Sequence, residues 1–374
     1  MKKILLTILL FLFPLIVSAE GIENYYINAT IENNGDLLVE EYFYLNDEFN
    51  GMSRIINYRN SNAFTFNKDS SSYGGSTLHN GNGVEILEVR ALKIDSEFDF
   101  SKIEGTVFNK ASYASVGDFG VYTIDDEYDG VDLRIYLPSS KNKAFYIKYR
   151  LRNMGILHND IGELGWNVVG DSLSESVANL VVYINIPNNK NITKVWAHGP
   201  YHGESKIISK DKVMASIHHL DSYTSVDVRV AFDKSVISNS SKTTNVNALD
   251  KIIKYETDEA EKANYERDKY DEININYINN YFDLLDKTPS RSTYDILYDY
   301  IYNLYNVTIR EEYFNKLFTY QDKVDNYEYG VFKSYLISGY YSYQYYENAL
   351  EVVNNVFSEE LRNKMNTELE IYLK

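Results

Sequence analysis

Alternation of apolar and polar residues dominates the first two thirds of the chain. It runs through Tyr26–Ile31 and resumes through Leu37–Leu45, with Asn34-Gly35 between them. An Asn-Gly step flanked by alternation predicts a β-hairpin with a type I′ turn. Further strands are predicted at 84–94, 121–123, 131–137, 143–153, 177–186, 194–197, 205–208, 212–219 and 225–232. Short strands separated by turn residues, without helices between them, predict an antiparallel β-sandwich.

One predicted strand, 143–153, has a particularly regular pattern. Its apolar residues fall on one face, and they are Phe145, Ile147, Tyr149 and Leu151. Because successive side chains of a strand point to opposite faces, this face should pack into the core.

The period changes after residue 247. Apolar and aromatic residues then recur at helical spacing, as at Tyr294, Leu297, Tyr298, Ile301 and Tyr305. Helices are predicted over 248–285, from 292, and over 310–323, 327–353 and 359–373. A C-terminal α-helical bundle should therefore follow the sandwich.

These patterns divide the chain into four parts. Residues 1–19 are predicted to be a signal peptide, 20–234 a β-sandwich domain, 235–247 a polar linker, and 248–374 an α-helical domain. The linker assignment depends on the run Ser238–Asn245, which is polar throughout.

The first nineteen residues determine the expected location. Lys2 and Lys3 precede an apolar stretch, Ile4–Val17, and a small-residue cleavage site that ends at Ala19. We therefore expect a secreted or envelope-associated protein of bacterial type. A retained membrane anchor is the alternative, although the apolar stretch is shorter than the roughly 20 residues that span a bilayer. No later segment is apolar enough to span a membrane, so the mature chain should contain no transmembrane segment.

Composition narrows the possible partners. The formal net charge is −17, and a chain with this charge is repelled by nucleic acid. The absence of cysteine excludes disulfides and thiolate metal sites. The 36 tyrosines favour binding surfaces, but an AT-rich genome is the simpler explanation of their number. Cationic proteins and neutral glycans remain the expected partners.

The stretch Asp160–Gly170 is the least generic part of the sequence. It contains three glycines, Trp166, Asn167 and an acidic residue, Glu163, between apolar neighbours. Alternation puts Trp166 on the same face as two apolar neighbours, which predicts core packing rather than a platform for sugars. A buried charge must be paired. We therefore expect the guanidinium of Arg54 to meet the carboxylate of Glu163 or Asp160, as a structural pair or as the lining of a cleft.

Several of these stretches, in this order, resemble one known family. They are Asn34–Leu37, Phe49–Arg54, Phe145–Leu151, the Glu163-Leu164-x-Trp166-Asn167-x-x-Gly170 pattern, and Ile186-Pro187. Together they resemble the N-terminal domain of the DUF2207 family of envelope proteins, over roughly residues 22–234. The resemblance implies a β domain that is usually followed by transmembrane helices. Here a helical domain stands in their place, so the resemblance does not carry a membrane role to this chain.

No catalytic motif accompanies these features. The sequence lacks Gly-x-Ser-x-Gly, His-Glu-x-x-His and a glycine-rich phosphate loop. The acidic turn 125–129 does not have the spacing of a calcium loop. His198 and His202 are weak candidates for a zinc or copper site together with His218-His219, and exposed strand ends are the simpler reading. We expect no cofactor and no bound metal.

A dense tyrosine patch in the helical region is the candidate interaction surface. It comprises Tyr340, Tyr341, Tyr343, Tyr345 and Tyr346, and packing between helices is the alternative role. The sequence therefore predicts a non-enzymatic binding module for a protein or glycan at the cell surface. The rival prediction is a glycan-binding or carbohydrate-active envelope protein, which would need a pair of carboxylates across a cleft.

Overall fold

The structure is a computed structural model that describes residues 21–59, 80–93, 98–191, 193–337 and 343–372. The predicted signal peptide lies outside these ranges. The chain forms two compact units, one that ends at Thr257 and one that begins at Asp258. The first is built mainly from β-strands and the second from helices, which confirms the predicted order of β and then α.

Sixteen strands belong to the described part of the first unit. They are β1 Gly21–Ile31, β2 Leu37–Leu45, β3 Phe49–Asn57, β4 Gly83–Leu92, β5 Gly105–Val107, β6 Asn109–Lys110, β7 Val121–Asp126, β8 Gly130–Ser140, β9 Lys143–Arg152, β10 Gly155–Leu157, β11 Ile161–Val169, β12 Ser176–Asn185, β13 Thr193–His198, β14 Glu204–Ser209, β15 Lys212–Leu220 and β16 Val226–Asp233.

These strands form one large sheet and two small ones. The large sheet has the order β14-β15-β12-β1-β2-β9-β4-β5, and the small sheets have the orders β10-β11-β16-β13 and β3-β8-β7-β6. Pairing is antiparallel except between β1 and β12 and between β6 and β7. The three sheets contribute to a single hydrophobic core, as a layered sandwich requires. The predicted inward face of β9 is confirmed, because all four of its apolar side chains are buried.

The first hairpin forms between the predicted strands, but its turn differs from the prediction. The amide of Gly35 donates to the carbonyl of Glu32, and Gly35 has a φ of +83°. Asn34 does not have a positive φ, and a type I′ turn needs one at both central residues. The prediction of a type I′ turn is therefore wrong; one left-handed glycine after a tight turn closes the hairpin.

The predicted polar linker packs against the first unit. Residues Lys234–Ile237 form a 3-10 helix, and Ile237, Ser240, Lys242 and Thr244 are buried. Backbone hydrogen bonds join Leu157 to Lys242 and to Thr244, so the segment runs beside β10 like an added strand. Its buried polar side chains contact backbone carbonyls or His158, whereas others, such as Ser238 and Asn239, are exposed. Composition alone could not separate these two groups, so it suggested a free linker. The division between the units falls later, after Thr257.

Six helices follow in the described residues. They are α1 Leu249–Lys287, α2 Arg291–Tyr302, α3 Val307–Phe318, α4 Gln321–Ile337, α5 Tyr343–Val353 and α6 Glu359–Tyr372. Across the described ranges, none of them combines the length and the apolar character that crossing a membrane requires.

The helices of the second unit form two similar three-helix layers, each with its own core. The C-terminal half of α1 packs with α2 and α3, and α4 packs with α5 and α6. Buried positions correspond at an offset of 52 residues, as for Ile301 and Val353 or Leu304 and Val356. The sequence suggested only a loose similarity to a helical repeat, because little beyond these buried positions is shared.

The hydrogen bonds that tie each layer together also correspond. The carboxylate of Asp271 accepts from the amides of Tyr305 and Asn306 at 2.8 and 2.7 Å. The carboxylate of Asp325 accepts from the amides of Phe357 and Ser358 at 2.6 and 2.9 Å. In each layer, a buried aspartate on the first helix thus caps the start of the third. The second unit is a tandem repeat.

Candidate functional site

Strand β11 carries most of the stretch 160–170, and all nine of its residues are buried. Leu164, Trp166 and Val168 face the core shared by the three sheets, as alternation predicts. The opposite face is also covered, because Ile161 packs with Ala248 and Ile252 at the start of α1. The glycines allow close packing here, since a Cβ on Gly162 would lie 2.4 Å from the ring of Phe232.

A cluster of buried charges occupies this second face. Arg229 on β16 donates to Glu163 Oε1 at 2.8 Å through Nε and lies 2.7 Å from it through Nη2. Its Nη1 donates to Glu256 of α1 at 2.8 Å. His158 Nε2 lies 2.8 Å from Glu163 Oε2, and its Nδ1 lies 2.6 Å from the hydroxyl of Thr244. One guanidinium therefore joins two carboxylates from different elements.

His198 brings this cluster to the surface. Its Nε2 lies 3.0 Å from Glu256 Oε2, and its side chain is partly exposed whereas Glu256 is buried. The hydrogen bond to Glu256 raises the pKa of His198 above its usual value, and the charges of Glu256 and Asp227 add to the rise. The cluster is a set of ion pairs that ties the β11–β16 sheet to the first turns of α1. Its carboxylates face protein groups, and this favours a stabilising role.

The predicted pairing of Arg54 with Glu163 or Asp160 is wrong. Arg54 is buried and paired, but its partner is Glu41 on β2, with Nη2 to Oε1 at 2.9 Å and Nε to Oε2 at 3.1 Å. Its Nη2 also donates to the carbonyl of Val168 at 2.8 Å. Arg54 therefore approaches β11 from the core side, whereas Glu163 points to the opposite face. Alternation along β11 keeps the two charges apart.

A buried tyrosine also contacts Glu41, the partner of Arg54. The hydroxyl of Tyr149 donates to Glu41 Oε1 at 2.6 Å, and burial raises the pKa of Tyr149 well above its usual value. The guanidinium carbon of Arg54 lies 5.9 Å from the ring centroid of Tyr25. The carboxylate thus receives donors from two elements inside the core.

Asp160 and Asn167 have local roles. The carboxylate of Asp160 accepts from the amides of Ala248 and Leu249 at 2.8 and 3.0 Å, which places a negative charge at the N-terminus of α1. The amide of Asn167 donates to Asp227 at 3.1 Å and accepts from Asn57 at 3.1 Å, and so links β16 to β3. Both residues of the predicted signature connect elements of the first unit.

The structure does not bring the four histidines into one site. His198 lies against Glu256, whereas His202 Nε2 lies 3.2 Å from the backbone carbonyl of His219. His218 Nδ1 lies 3.0 Å from Asn179. Within the ranges that the structure describes, no cluster of three or more His, Asp or Glu side chains has an arrangement that could hold a metal.

A cleft with a volume of about 810 Å³ lies among the described residues of the first unit. Its lining includes the apolar residues Leu137 and Phe145 and the basic residues Arg90, Lys93 and Lys143. Burial lowers the pKa of Lys143, and Arg90 pairs with Glu88. The described lining contains one carboxylate, Glu104, which is fewer than the pair used in glycoside hydrolysis.

Aromatic side chains are exposed in both units, and in the second unit several of them adjoin one another. Of the predicted tyrosine patch, Tyr340 and Tyr341 lie outside the described residues, Tyr343 and Tyr345 are exposed, and Tyr346 packs against the core of the second layer. A separate stripe runs along α2 and α3. It consists of Tyr302, Tyr298, Phe314 and Phe318, whose successive ring centroids lie 6.3, 4.9 and 5.7 Å apart.

Sequence analysis missed the partners of both buried arginines. Glu41 gave a signal, because it interrupts an otherwise apolar face formed by Leu37, Val39, Phe43 and Leu45. The indication from Arg229 and Glu256 was weaker. Each lies on a strand or helix whose exposed face commonly carries charged residues, so its burial could not be recognised. The stripe on α2 and α3 was hidden by the high overall content of tyrosine.

A family model described as "Predicted membrane protein (DUF2207) N-terminal domain" matches residues 21–232, which is more than half of the chain. The chain belongs to this family. The match runs from the start of β1 to the penultimate residue of β16 and covers none of the six helices. No curated protein matches the sequence significantly.

Solved structures with a similar arrangement are distant. A putative protease from Parabacteroides distasonis has 8% identity and a TM-score of 0.29, over 56% of this chain and 39% of that one. Leukotriene A4 hydrolase from Saccharomyces cerevisiae has 10% identity and a TM-score of 0.33, over 57% and 29%. An M1 zinc metallopeptidase from Deinococcus radiodurans has 6% identity and a TM-score of 0.28, over 56% and 42%. The chain spans less than half the length of each.

Proposed function

We propose that this DUF2207 protein is a non-enzymatic binding module, secreted and held at the cell envelope by its contacts with another envelope component. The β-rich unit provides a rigid base, because its buried ion pairs and shared core fix the sheets to one another. The second unit provides the binding surface.

One observation carries this proposal: the helical unit exposes large aromatic side chains on its surface. Tyr298, Tyr302 and Phe318 are 39%, 38% and 47% exposed, and Tyr343 is 70% exposed. Contiguous exposed aromatic groups are typical of binding surfaces, since burying them on association releases much water and freezes few rotors. Tandem helical layers also present extended surfaces that suit polypeptide partners.

Glycan binding is the second candidate function. The rings of Tyr298 and Tyr302 are 13° from parallel, and exposed aromatic faces of this kind also stack on sugars. The same surface would serve both functions, so the chemistry of the partner distinguishes them.

Retention of the protein on envelope material tests both candidates. Purified chain would be mixed with the washed envelope fraction of the cells that produce it, before and after protease treatment and before and after digestion of the polysaccharide. Binding that protease abolishes supports the protein-binding function. Binding that survives protease but is lost with the polysaccharide supports the glycan alternative. A chain that is not retained at all contradicts the proposal.

A further inference from the structure

The tandem repeat of the second unit allows each layer to serve as a reference for the other. Positions that the fold itself requires should be similar in both layers, because both use the same packing. The buried pairs Leu297 and Ala349, Leu304 and Val356, and Leu317 and Leu369 follow this rule. Where equivalent exposed positions carry very different residues in the two layers, packing does not determine the residue at that position.

The aromatic stripe is present in the first layer alone. At the offset of 52 residues, Tyr298 corresponds to Leu350, Tyr302 to Asn354, Phe314 to Asn366 and Phe318 to Glu370. The second layer folds around its own core without these four rings. Phe314 packs in part against the core of the first layer, whereas Tyr298, Tyr302 and Phe318 are exposed. These three exposed rings are therefore more than this three-helix arrangement needs for packing.

Acidic side chains border the stripe. Glu311 and Glu312 on α3 are exposed and correspond to Asn363 and Lys364 on α6, although Lys316 corresponds to Glu368. Asp295 and Asp299 on α2 lie one turn from the stripe tyrosines and are exposed, and their equivalents in the second layer, Glu347 and Glu351, are also acidic and exposed. Both layers therefore carry acidic side chains here, and the aromatic stripe is the feature that distinguishes the first layer.

From this comparison we infer that the stripe formed by Tyr302, Tyr298, Phe314 and Phe318 is a docking site for a basic polypeptide segment that carries apolar side chains. The rings bury the apolar side chains of the segment, and the acidic border pairs with its lysines or arginines. Such pairs at the rim accelerate association and select the charge of the partner. The inference rests on the proposed binding function and adds the site and the chemistry of the partner.

A set of synthetic peptides tests the chemistry. A peptide that alternates lysine and leucine, its analogue with glutamine for lysine, and its analogue with glutamate would be titrated against the full chain by fluorescence anisotropy. We expect the lysine peptide to bind about tenfold more tightly than the glutamine peptide and the glutamate peptide to bind weakest, with a preference that shrinks as salt rises. Equal binding of all three, or tighter binding of a neutral oligosaccharide, overturns the assignment.

Variants test the site. Replacing Tyr298 and Phe318 by alanine should weaken binding of the lysine peptide about tenfold or more, because central aromatic anchors carry most of the energy of an interface. The matched control is Leu350→Ala, at the equivalent position of the second layer, which should bind as the parent does. Glu311→Gln with Glu312→Gln changes exposed side chains without affecting packing. It should reduce the preference for the lysine peptide, and Asp295 and Asp299 account for the preference that is left.

The outcomes separate the inference from the function on which it rests. If the envelope retains the parent chain and the stripe variants equally, the site is wrong and the binding function stands. If the envelope does not retain the parent chain, the binding function itself fails. If both the stripe variants and the Leu350→Ala variant lose peptide binding alike, the difference between the layers carries no specificity and the inference is overturned.

Discussion

Arg229 and Glu163 form a diagonal ion pair across two paired strands. The register places Arg229 opposite Gly165, yet its Nη2 lies 2.7 Å from Oε1 of Glu163, two residues along β11. The diagonal leaves Nη1 directed to Glu256 of α1, so Arg229 contributes to holding the start of this helix together with Asp160 and His198.

Replacing Arg229 by methionine should destabilise the first unit by about 3–5 kcal/mol. The substitution leaves the carboxylates of Glu163 and Glu256 buried without their shared cation, which costs more than the ion pair contributes. Urea unfolding at neutral pH, followed by the fluorescence of the buried Trp166, measures the change. Adding Glu163→Gln to this variant should restore part of the loss, because one of the two uncompensated charges is then removed.

Arg134→Met is the matched control for that experiment. Arg134 pairs with Asp125 and Asp132, but its side chain is 48% exposed. Exposed pairs contribute about 0–1 kcal/mol. The role assigned to Arg229 is refuted if both variants lose the same small amount of stability.

The buried charges also show how much of the structure could be predicted from the sequence. Alternation correctly predicted that Trp166 faces the core and that Arg54 needs a buried partner. The same alternation, applied one step further, would have placed Glu163 on the face opposite to Trp166 and out of reach of Arg54. The true partner, Glu41, was visible as one acidic residue on an apolar face of β2.

Features that depend on contacts between residues far apart in the sequence were harder to predict. Residues 235–247 looked like a linker because they are polar, and only the carbonyls of β10 and its neighbours explain why Lys242 and Thr244 are buried there. The tandem repeat was not visible in the sequence because its two layers have few identical residues. They share apolar residues at the buried positions and one capping aspartate each. The resemblance to DUF2207 was confirmed, but it carries no residue-level function to the helices.

A double-mutant cycle should assign the partner of Arg54. Arg54→Met and Glu41→Gln should show a coupling energy of about 1–3 kcal/mol, because the two side chains share two hydrogen bonds inside the core. The parallel cycle with Glu163→Gln should show less than about 0.5 kcal/mol, since those groups lie on opposite faces of β11. Denaturant unfolding of the parent, the single variants and the double variants gives both values. Stronger coupling to Glu163 than to Glu41 would reject the observed pairing.

The two capping aspartates should have equivalent effects. Asp271→Asn and Asp325→Asn should each cost about 1 kcal/mol, because each carboxylate accepts from two consecutive amides at the start of a third helix. Hydrogen exchange resolves the effect locally: Tyr305 and Asn306 lose protection in the first variant, and Phe357 and Ser358 lose it in the second. Asp283→Asn, an exposed change on α1, is the control and should leave protection unchanged. Loss of protection at one cap alone would contradict a structural repeat.

Lys242 should make the first unit more stable as the pH rises above about 8. Its ammonium is buried beside the backbone carbonyls of Asn80 and Asn153, and burial lowers its pKa to about 8. The unfolded chain keeps this proton up to its ordinary pKa of 10.5. Between these values the unfolded state binds more protons, so the free energy of unfolding increases with pH, by about 2 kcal/mol between pH 8 and pH 10.

The contribution of Lys242 is isolated by comparing variants with the parent at each pH. Lys242→Met removes the titrating group, so its stability relative to the parent should decrease steadily from pH 8 to pH 10 and stay constant below pH 7. Lys234→Met is the control, because Lys234 is exposed and also donates to one backbone carbonyl, that of Asn159. A difference between Lys242→Met and the parent that stays constant from pH 8 to pH 10 would mean that the buried ammonium keeps its ordinary pKa. The packed segment beside β10 would then be more hydrated than its contacts indicate.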